Sequence, residues 1–426
     1  MTRLSPAMLT MIALAAALPG LIGLTAPATV AEPTPAAFTK IQLTDKFHAE
    51  TAGIGDIDRD GHIDAIYGPF WYAGPDFKTR HQIHSPQDFD PNGYSNNFMT
   101  SIADIDGDGW LDVLTNVWPG KEVVWFRNPG KDGVTAGGDW QRHLVHPTVD
   151  NESPTLADVT GDGKPELVFH TGGILGFARP SEPTATDRWL FTPCSEPAKW
   201  GQYQHGLGVG DVNGDGRADL LLAEGWWEQP ATLSGETLPR ENVPRELWKK
   251  HPVAFGKGGA QMHTYDVDGD GDMDVITSLV AHGYGLSWFE QVKKEGEIDF
   301  VEHAILPATA EGSLDGVQFS QPHAVQVVDV NGDGLKDIIT GKRFWAHGPK
   351  GDPDPAGTPV LYWLELVRDP AKTGAEGLKY LPHRIDDASG VGTQFAVGDL
   401  NADGRVDIVI GNKKGGFVFR SAAAAN

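Results

Sequence analysis

Along the chain, short apolar runs alternate with acidic, glycine-containing stretches, and the alternation recurs seven times. Before the acidic stretch stands a run of small or β-branched residues, as in Gly53-Ile54-Gly55, Ser101-Ile102-Ala103 and Gly208-Val209-Gly210. After it comes an apolar run such as Ala65-Ile66-Tyr67, Val113-Leu114-Thr115 or Ile338-Ile339-Thr340. These compositions predict two strands joined by a tight turn. Two more strand signals follow in most repeats. The first is aromatic (Val124-Trp125-Phe126, Leu286-Ser287-Trp288-Phe289, Tyr362-Trp363-Leu364), and the second has an aromatic residue three before a histidine: Trp140 and His143, Trp248 and His251, Phe300 and His303, Tyr380 and His383.

The acidic stretch is a nonapeptide with oxygen side chains at positions one, three, five and nine. In the first three copies these are Asp56, Asp58, Asp60 and Asp64; Asp104, Asp106, Asp108 and Asp112; and Asp158, Thr160, Asp162 and Glu166. The fourth and fifth carry Asp211, Asn213, Asp215 and Asp219, then Asp266, Asp268, Asp270 and Asp274. The last two carry Asp329, Asn331, Asp333 and Asp337, then Asp399, Asn401, Asp403 and Asp407. The first residues lie 48, 54, 53, 55, 63 and 70 apart. Four strands per repeat and seven repeats predict an all-β, seven-bladed propeller of antiparallel four-stranded blades over residues 38–420. The seventh repeat runs out after Phe417-Val418-Phe419, one strand short, and Phe38 to Leu43 supplies the missing outer strand. Such closure pairs edges that would otherwise be exposed. Residues 421–426 are left as a disordered tail.

Oxygen ligands at these positions converge if the turn curls tightly, which the glycine at position six permits. Hard oxygen donors in that number suit Ca²⁺. A helix-loop-helix calcium hand needs twelve residues and helical flanks, whereas these flanks are strand-like. Without a cation the clustered carboxylates would repel one another. The first, second and fifth copies carry four carboxylates each and are expected to bind most tightly. The seventh has Ala402 where most others have glycine. The seven copies hold 24 carboxylates, so seven calcium ions would bring the formal charge of -24 to -10.

That charge comes from 58 Asp and Glu against 34 Lys and Arg in 426 residues, and it argues against a nucleic-acid partner. The one cysteine, Cys194, leaves no internal disulfide to staple the fold. Arg3, the apolar stretch Met8 to Leu24 and the small residues up to Ala31 read as a signal peptide over residues 1–31, so a secreted or periplasmic protein is expected. A membrane anchor is the competing reading, disfavoured because Pro19 and Gly20 interrupt the run. No later segment is apolar enough to span a bilayer, and a monomer is expected.

The acidic repeats resemble the FG-GAP and VCBS repeats of integrin α-subunit propellers and of many secreted bacterial proteins. That resemblance implies calcium in the turns joining the first and second strands of each blade. Its FG and GAP tags are degraded here, with Tyr67-Gly68-Pro69 a vague echo. It fixes the fold better than the function, because adhesion subunits, lectin-like modules and enzymes share the architecture.

Candidate chemistry falls at the other end of the same strands. His48, Glu152, His205, His263 and His323 precede their acidic turns by three to eight residues and break the repeat. Two or three of these histidines with Glu152 could hold Zn²⁺ or another transition metal, or could simply hydrogen-bond neighbouring backbone. The recurrent His143, His251, His303 and His383 read as packing residues. Turns after the second strands carry Trp71, Trp118, Trp226, Trp227, Arg343 and Trp345, which suit either sugar stacking or blade packing. Inserts at 229–246 and 346–359 could shape a ligand site.

Three functional classes remain open. The first is binding of an extracellular glycan by the Trp- and His-bearing face. The second is a carbon–oxygen lyase acting on keto-sugars or polysaccharide, since Ser320-Gln321-Pro322-His323-Ala324 and the Trp-Phe-Glu strands are loosely similar to the propeller of aldos-2-ulose dehydratase. That similarity implies elimination beside a carbonyl, with His205, His323 or His263 as base or metal ligand. The third is a protein-adhesion module.

Overall fold

The computed structural model describes residues 37–182, 184, 186–233, 247–372 and 374–422. The expected signal peptide and most of the 229–246 insert lie outside them. Strands β2 (Gly53–Gly55), β3 (Asp64–Tyr67), β4 (Phe70–Tyr72) and β5 (Arg80–Gln82) form one sheet in chain order. The next sheets repeat this plan with β6 (Met99–Ala103), β7 (Asp112–Asn116), β8 (Lys121–Arg127) and β9 (Gln141–Val149), then β10 (Thr155–Ala157), β11 (Glu166–Thr171), β12 (Ile174–Arg179) and β13 (Leu190–Pro193).

An eight-stranded sheet follows. Its halves are β14 (Leu207–Gly210), β15 (Asp219–Leu222), β16 (Gly225–Glu228) and β17 (Lys249–Pro252), and β18 (Gln261–Tyr265), β19 (Asp274–Ser278), β20 (Leu286–Lys294) and β21 (Glu297–Leu306). They join through a short parallel pairing of Leu207 and Gly208 with Gln261 and Met262. Strands β22 (Val325–Val328), β23 (Asp337–Gly341), β24 (Leu361–Arg368) and β25 (Leu378–Asp386) make the next sheet.

The last sheet contains β26 (Phe395–Gly398), β27 (Asp407–Asn412) and β28 (Gly415–Ala422), completed by β1 (Ala37–Thr44) antiparallel to β28. Ala37 pairs with Ala422 and Phe38 with Ser421, so Ser421 and Ala422 belong to a strand and not to a tail. Strand β2 packs against both β26 and β6, which brings first and last sheets together. The architecture is an all-β propeller with antiparallel four-stranded blades. Among the described residues, no helix is long and apolar enough to cross a membrane.

Small residues in the first strands allow neighbouring blades to approach. A Cβ on Gly208 would meet the Met262 carbonyl oxygen at 2.3 Å, and one on Gly210 would meet the Thr264 hydroxyl at 2.1 Å. Bulk sits farther out, in a repeated stack: Trp125 on His143, Trp226 on His251, Trp288 on His303 and Trp363 on His383, with ring centroids 4.0–4.7 Å apart. Three of these histidines also meet a carboxylate at 2.6–2.7 Å, from Glu228, Glu290 and Glu365. The recurrent outer histidines are thus packing residues.

Every acidic turn closes by the same two contacts. The backbone N–H at position six donates to the position-one carboxylate (2.7–3.2 Å), and the N–H at position two donates to the position-nine carboxylate (2.8–3.0 Å). Position four takes a left-handed conformation, occupied by glycine in five copies but by Arg59 and Ala402 (both φ 58°) in the other two. Such a conformation costs a residue bearing Cβ about 1–2 kcal/mol. Ala402→Gly should therefore stabilise the protein by about 1 kcal/mol, read as a higher urea midpoint.

Candidate functional site

At the acidic end, positions one, three and nine of the first and fifth turns come together (Asp56, Asp58 and Asp64; Asp266, Asp268 and Asp274), as do Asp104, Asp106 and Asp108 of the second. These are the three copies richest in carboxylates. In the second, Asp104 Oδ1 is buried without a hydrogen-bond partner, and the Arg127 guanidinium lies 2.6 Å from Asp106. Position nine is largely a strut. Both oxygens of Asp64, Asp112, Asp219, Asp274, Asp337 and Asp407 accept backbone N–H groups, which ties each turn to the end of the third strand or, in the last sheet, to β28. Burial pushes Asp64, Asp112, Asp219, Asp274 and Asp337 up to about 7. A cleft of about 580 Å³ beside the second and third turns, lined by Asp104, Asp162 and Trp189, also lies at this end.

At the opposite end, four side chains from three sheets meet, two of them from the two halves of the eight-stranded sheet. Glu152 precedes β10, His205 precedes β14, His282 lies between β19 and β20, and His323 precedes β22. His205 Nε2 is 2.9 Å from His282 Nε2 and 3.2 Å from His323 Nε2, while Glu152 Oε2 lies 3.1 Å from His205 and 3.3 Å from His323. The backbone holds this constellation: Glu152 N–H donates to Gln204 O (3.0 Å), and His323 N–H donates to Gln321 O (2.8 Å).

The electrostatics favour a cation at the meeting point. Burial lowers His323 to about 3 and, reinforced by the charges of His323 and Arg343, holds His282 far below the usual imidazole range. Burial alone would raise Glu152, but the imidazoles of His205 and His323 outweigh it and hold the carboxyl well below its usual range. Neutral imidazoles with an anionic carboxylate are the ligand state of a metal site. One ion with bonds of about 2.0–2.1 Å separates adjacent ligand atoms by about 2.8–3.4 Å, and the observed spacings fall in that range. His323 Nδ1 is buried and has no hydrogen-bond partner among the described residues. The Arg343 guanidinium, buried to 1 % exposure, lies 3.2 Å from Glu50 and 3.7 Å from Glu152, so one cation is shared between two buried carboxylates.

Around the cluster, Lys413 is buried and lowered to about 8 by desolvation; it donates to Trp345 O (2.8 Å) and lies over the Tyr94 ring. Trp118 packs edge-on against Tyr94 and Phe98 and donates to the hydroxyl of exposed Tyr203 (3.2 Å). Trp345, half-buried, stacks on Phe344 and lines a cleft of about 440 Å³ with Lys413 and Lys414.

Of the residues singled out from sequence, Glu152, His205 and His323 come together and Arg343 joins them. Others do not. His48 is buried against Tyr67 and Phe70, with Nδ1 2.9 Å from Gln87 O. His263 lies within β18, its Nε2 2.9 Å from Val325 O, which makes it an inter-strand contact and no member of the cluster. Trp71, Trp226 and Trp227 are at most 2 % exposed, because they fill blade interiors, and cannot stack on a ligand. His282 was missed. Its signal was a histidine in the turn after a second strand, the place where Trp118 and Arg343 stand.

A ring of four-stranded blades with repeated acidic turns on one end defines a class of repeat propeller. Residues 104–169 and 266–340 match the FG-GAP-like repeat, and 391–422 match the FG-GAP repeat, so these three stretches are FG-GAP-type repeats. Comparison with curated proteins gives no match. Among solved structures, the chain is similar to an Agrocybe aegerita lectin that recognises non-reducing terminal N-acetylglucosamine (17 % identity, 91 % of this chain and 86 % of that one, TM-score 0.43). It is also similar to the rhamnogalacturonan lyase YesW (14 % identity, 90 % and 75 %, TM-score 0.44).

Proposed function

We propose that the protein is an exported, calcium-stabilised propeller of seven blades, the eight-stranded sheet counting as two, and that it is a metal-dependent carbon–oxygen lyase acting on carbohydrate. The observation that carries this reading is the convergence of three imidazole Nε2 atoms and one carboxylate oxygen within 3.3 Å contacts at the end opposite the acidic turns. Nitrogen donors with one carboxylate suit Zn²⁺ or a similar transition metal, whereas the all-oxygen turns suit Ca²⁺.

An ion bound by Glu152, His205, His282 and His323 would polarise a substrate carbonyl. Because His205 and His323 are then ligands, the proton acceptor lies elsewhere, and Lys413 fits. Its ammonium, lowered to about 8, is in the range where a lysine exchanges protons near neutral pH. In the elimination, the carbon acid α to the carbonyl gives its proton to the Lys413 amine. The electron pair left behind forms the new C=C bond as the β C–O bond breaks, the departing oxygen takes a proton from water, and the Lys413 ammonium returns its proton to solvent. Trp118, Tyr94 and Trp345 offer aromatic faces for the sugar ring. Arg343 holds the Glu152 carboxylate in place.

Glycan binding without chemistry is the second reading, favoured by the aromatic rim of Trp118, Tyr203 and Trp345. Turnover separates the two. Zinc-loaded protein incubated with keto-sugars and uronate polysaccharides should release unsaturated products absorbing in the ultraviolet. Binding without product would support the second reading and overturn the first.

A further inference from the structure

Two groups of ligand atoms share one residue, His282: the cluster with Glu152, His205 and His323, and a second with His347 and Asp352. We propose that His282 is a bridging ligand whose Nε2 faces the first ion and whose Nδ1 faces a second transition-metal position completed by His347 and Asp352. This rests on the reading of the first cluster as a metal site and extends it.

The atoms on the far side of the His282 ring are arranged for such a position. Nδ1 is buried and has no hydrogen-bond partner among the described residues. It lies 3.9 Å from Asp352 Oδ1, which is 2.8 Å from His347 Nδ1, and the two imidazole rings are 4.4 Å apart. Ligands of one ion with bonds of about 2.1 Å lie at most about 4.2 Å apart, so a single ion can touch Nδ1 and Oδ1 together. The Asp352 carboxylate is oriented for this, because its Oδ2 accepts the His347 backbone N–H (2.9 Å) and leaves Oδ1 turned inward. The turn carrying His282 is pinned: Ala281 N–H donates to Gly258 O (3.0 Å), and Gly283 O accepts from Gln321 N–H (2.6 Å).

The two positions differ in access. His323 and Glu152 are buried, whereas the His347 side chain is 49 % exposed, so the second position opens to solvent and to a ligand at the mouth. Two nitrogens and one carboxylate oxygen suit Zn²⁺ or Cu²⁺. Binding there displaces the proton on His282 Nδ1 to solvent, leaving a bridging imidazolate, while His347 stays neutral with its proton on Nε2 and its Nδ1 free to coordinate. An imidazole bridge sets the ions about 6 Å apart, too far to share one hydroxide. The outer ion therefore holds a substrate oxygen of its own.

The test is zinc counting on the full chain, equilibrated with Zn²⁺ in excess Ca²⁺ and then desalted. Two zinc ions per chain are expected in the parent protein, and one in Asp352→Asn and in His347→Ala. Loading with Cu²⁺ should give a magnetically coupled pair in the parent and an isolated-ion spectrum in either variant. One zinc per chain in the parent would overturn the bridge and leave the first site standing, and none would overturn both. Two zinc ions retained in both variants would also overturn the bridge. The exposed His347→Ala change keeps the test open if Asp352→Asn misfolds.

Discussion

Stripping calcium should lower the melting temperature by roughly 10 °C or more, measured by calorimetry with and without a chelator. An ion that binds only the folded state, present at 100 times its dissociation constant, contributes about 2.7 kcal/mol. The three turns that gather their carboxylates most closely would together supply about 8 kcal/mol, comparable with the whole stability of a typical domain. The pH dependence gives the effect a signature. In the chelated protein Asp64, Asp112, Asp219, Asp274 and Asp337 titrate near 7 in the folded state against an ordinary value of 3.8. The folded chain then holds those protons more tightly than the unfolded one. Their contribution is complete below about pH 4 and is lost as pH rises through 7. Chelated protein should accordingly melt higher at pH 5 than at pH 8, and the gain from calcium should grow over the same interval. A melting temperature indifferent to chelator at pH 8 would show that the turns are self-sufficient.

Glu152→Gln and His323→Ala should each reduce turnover by about 100-fold or more while leaving the calcium-dependent melting transition in place. Altering even a residue that supports a metal ligand typically costs 10–100-fold, and these two are direct ligands in the proposed site. Loss of bound zinc in parallel with activity separates a ligand role from a structural one. Glu152→Gln is the sharper variant. It is nearly isosteric, but it removes one of two buried carboxylates that share Arg343, so the guanidinium turns to Glu50 and zinc affinity falls. Equal zinc content and turnover in both variants would contradict the assignment.

The blade plan was legible because each first hairpin carries the same closing contacts, and those contacts need particular residues at fixed positions. An Asp at position nine must reach two backbone N–H groups, and position four must accept a positive φ. The closure by Phe38 to Leu43 followed from counting strands. Glu152, His205 and His323 were legible for the opposite reason: they break the repeat just before a first strand, where chains approach the axis. His282 and Asp352 were not. Each lies in a connection whose path depends on neighbouring blades, and Asp352 sits in an insert read only as a loop that could shape a site. The tryptophans misled because strand three begins immediately after the turn. Trp71 and Trp226 belong to that strand and point into the blade, where a histidine from the outer strand covers each.

Anomalous diffraction at the zinc absorption edge, from crystals of the full chain grown with calcium and zinc, will locate any ion held by the histidine cluster. A strong peak is expected about 2.0–2.1 Å from Nε2 of His205, His282 and His323 and from the Glu152 carboxylate, as a bound metal-dependent site requires. Density for water or nothing at that point, with the imidazoles turned to hydrogen-bond one another or the backbone, would contradict it.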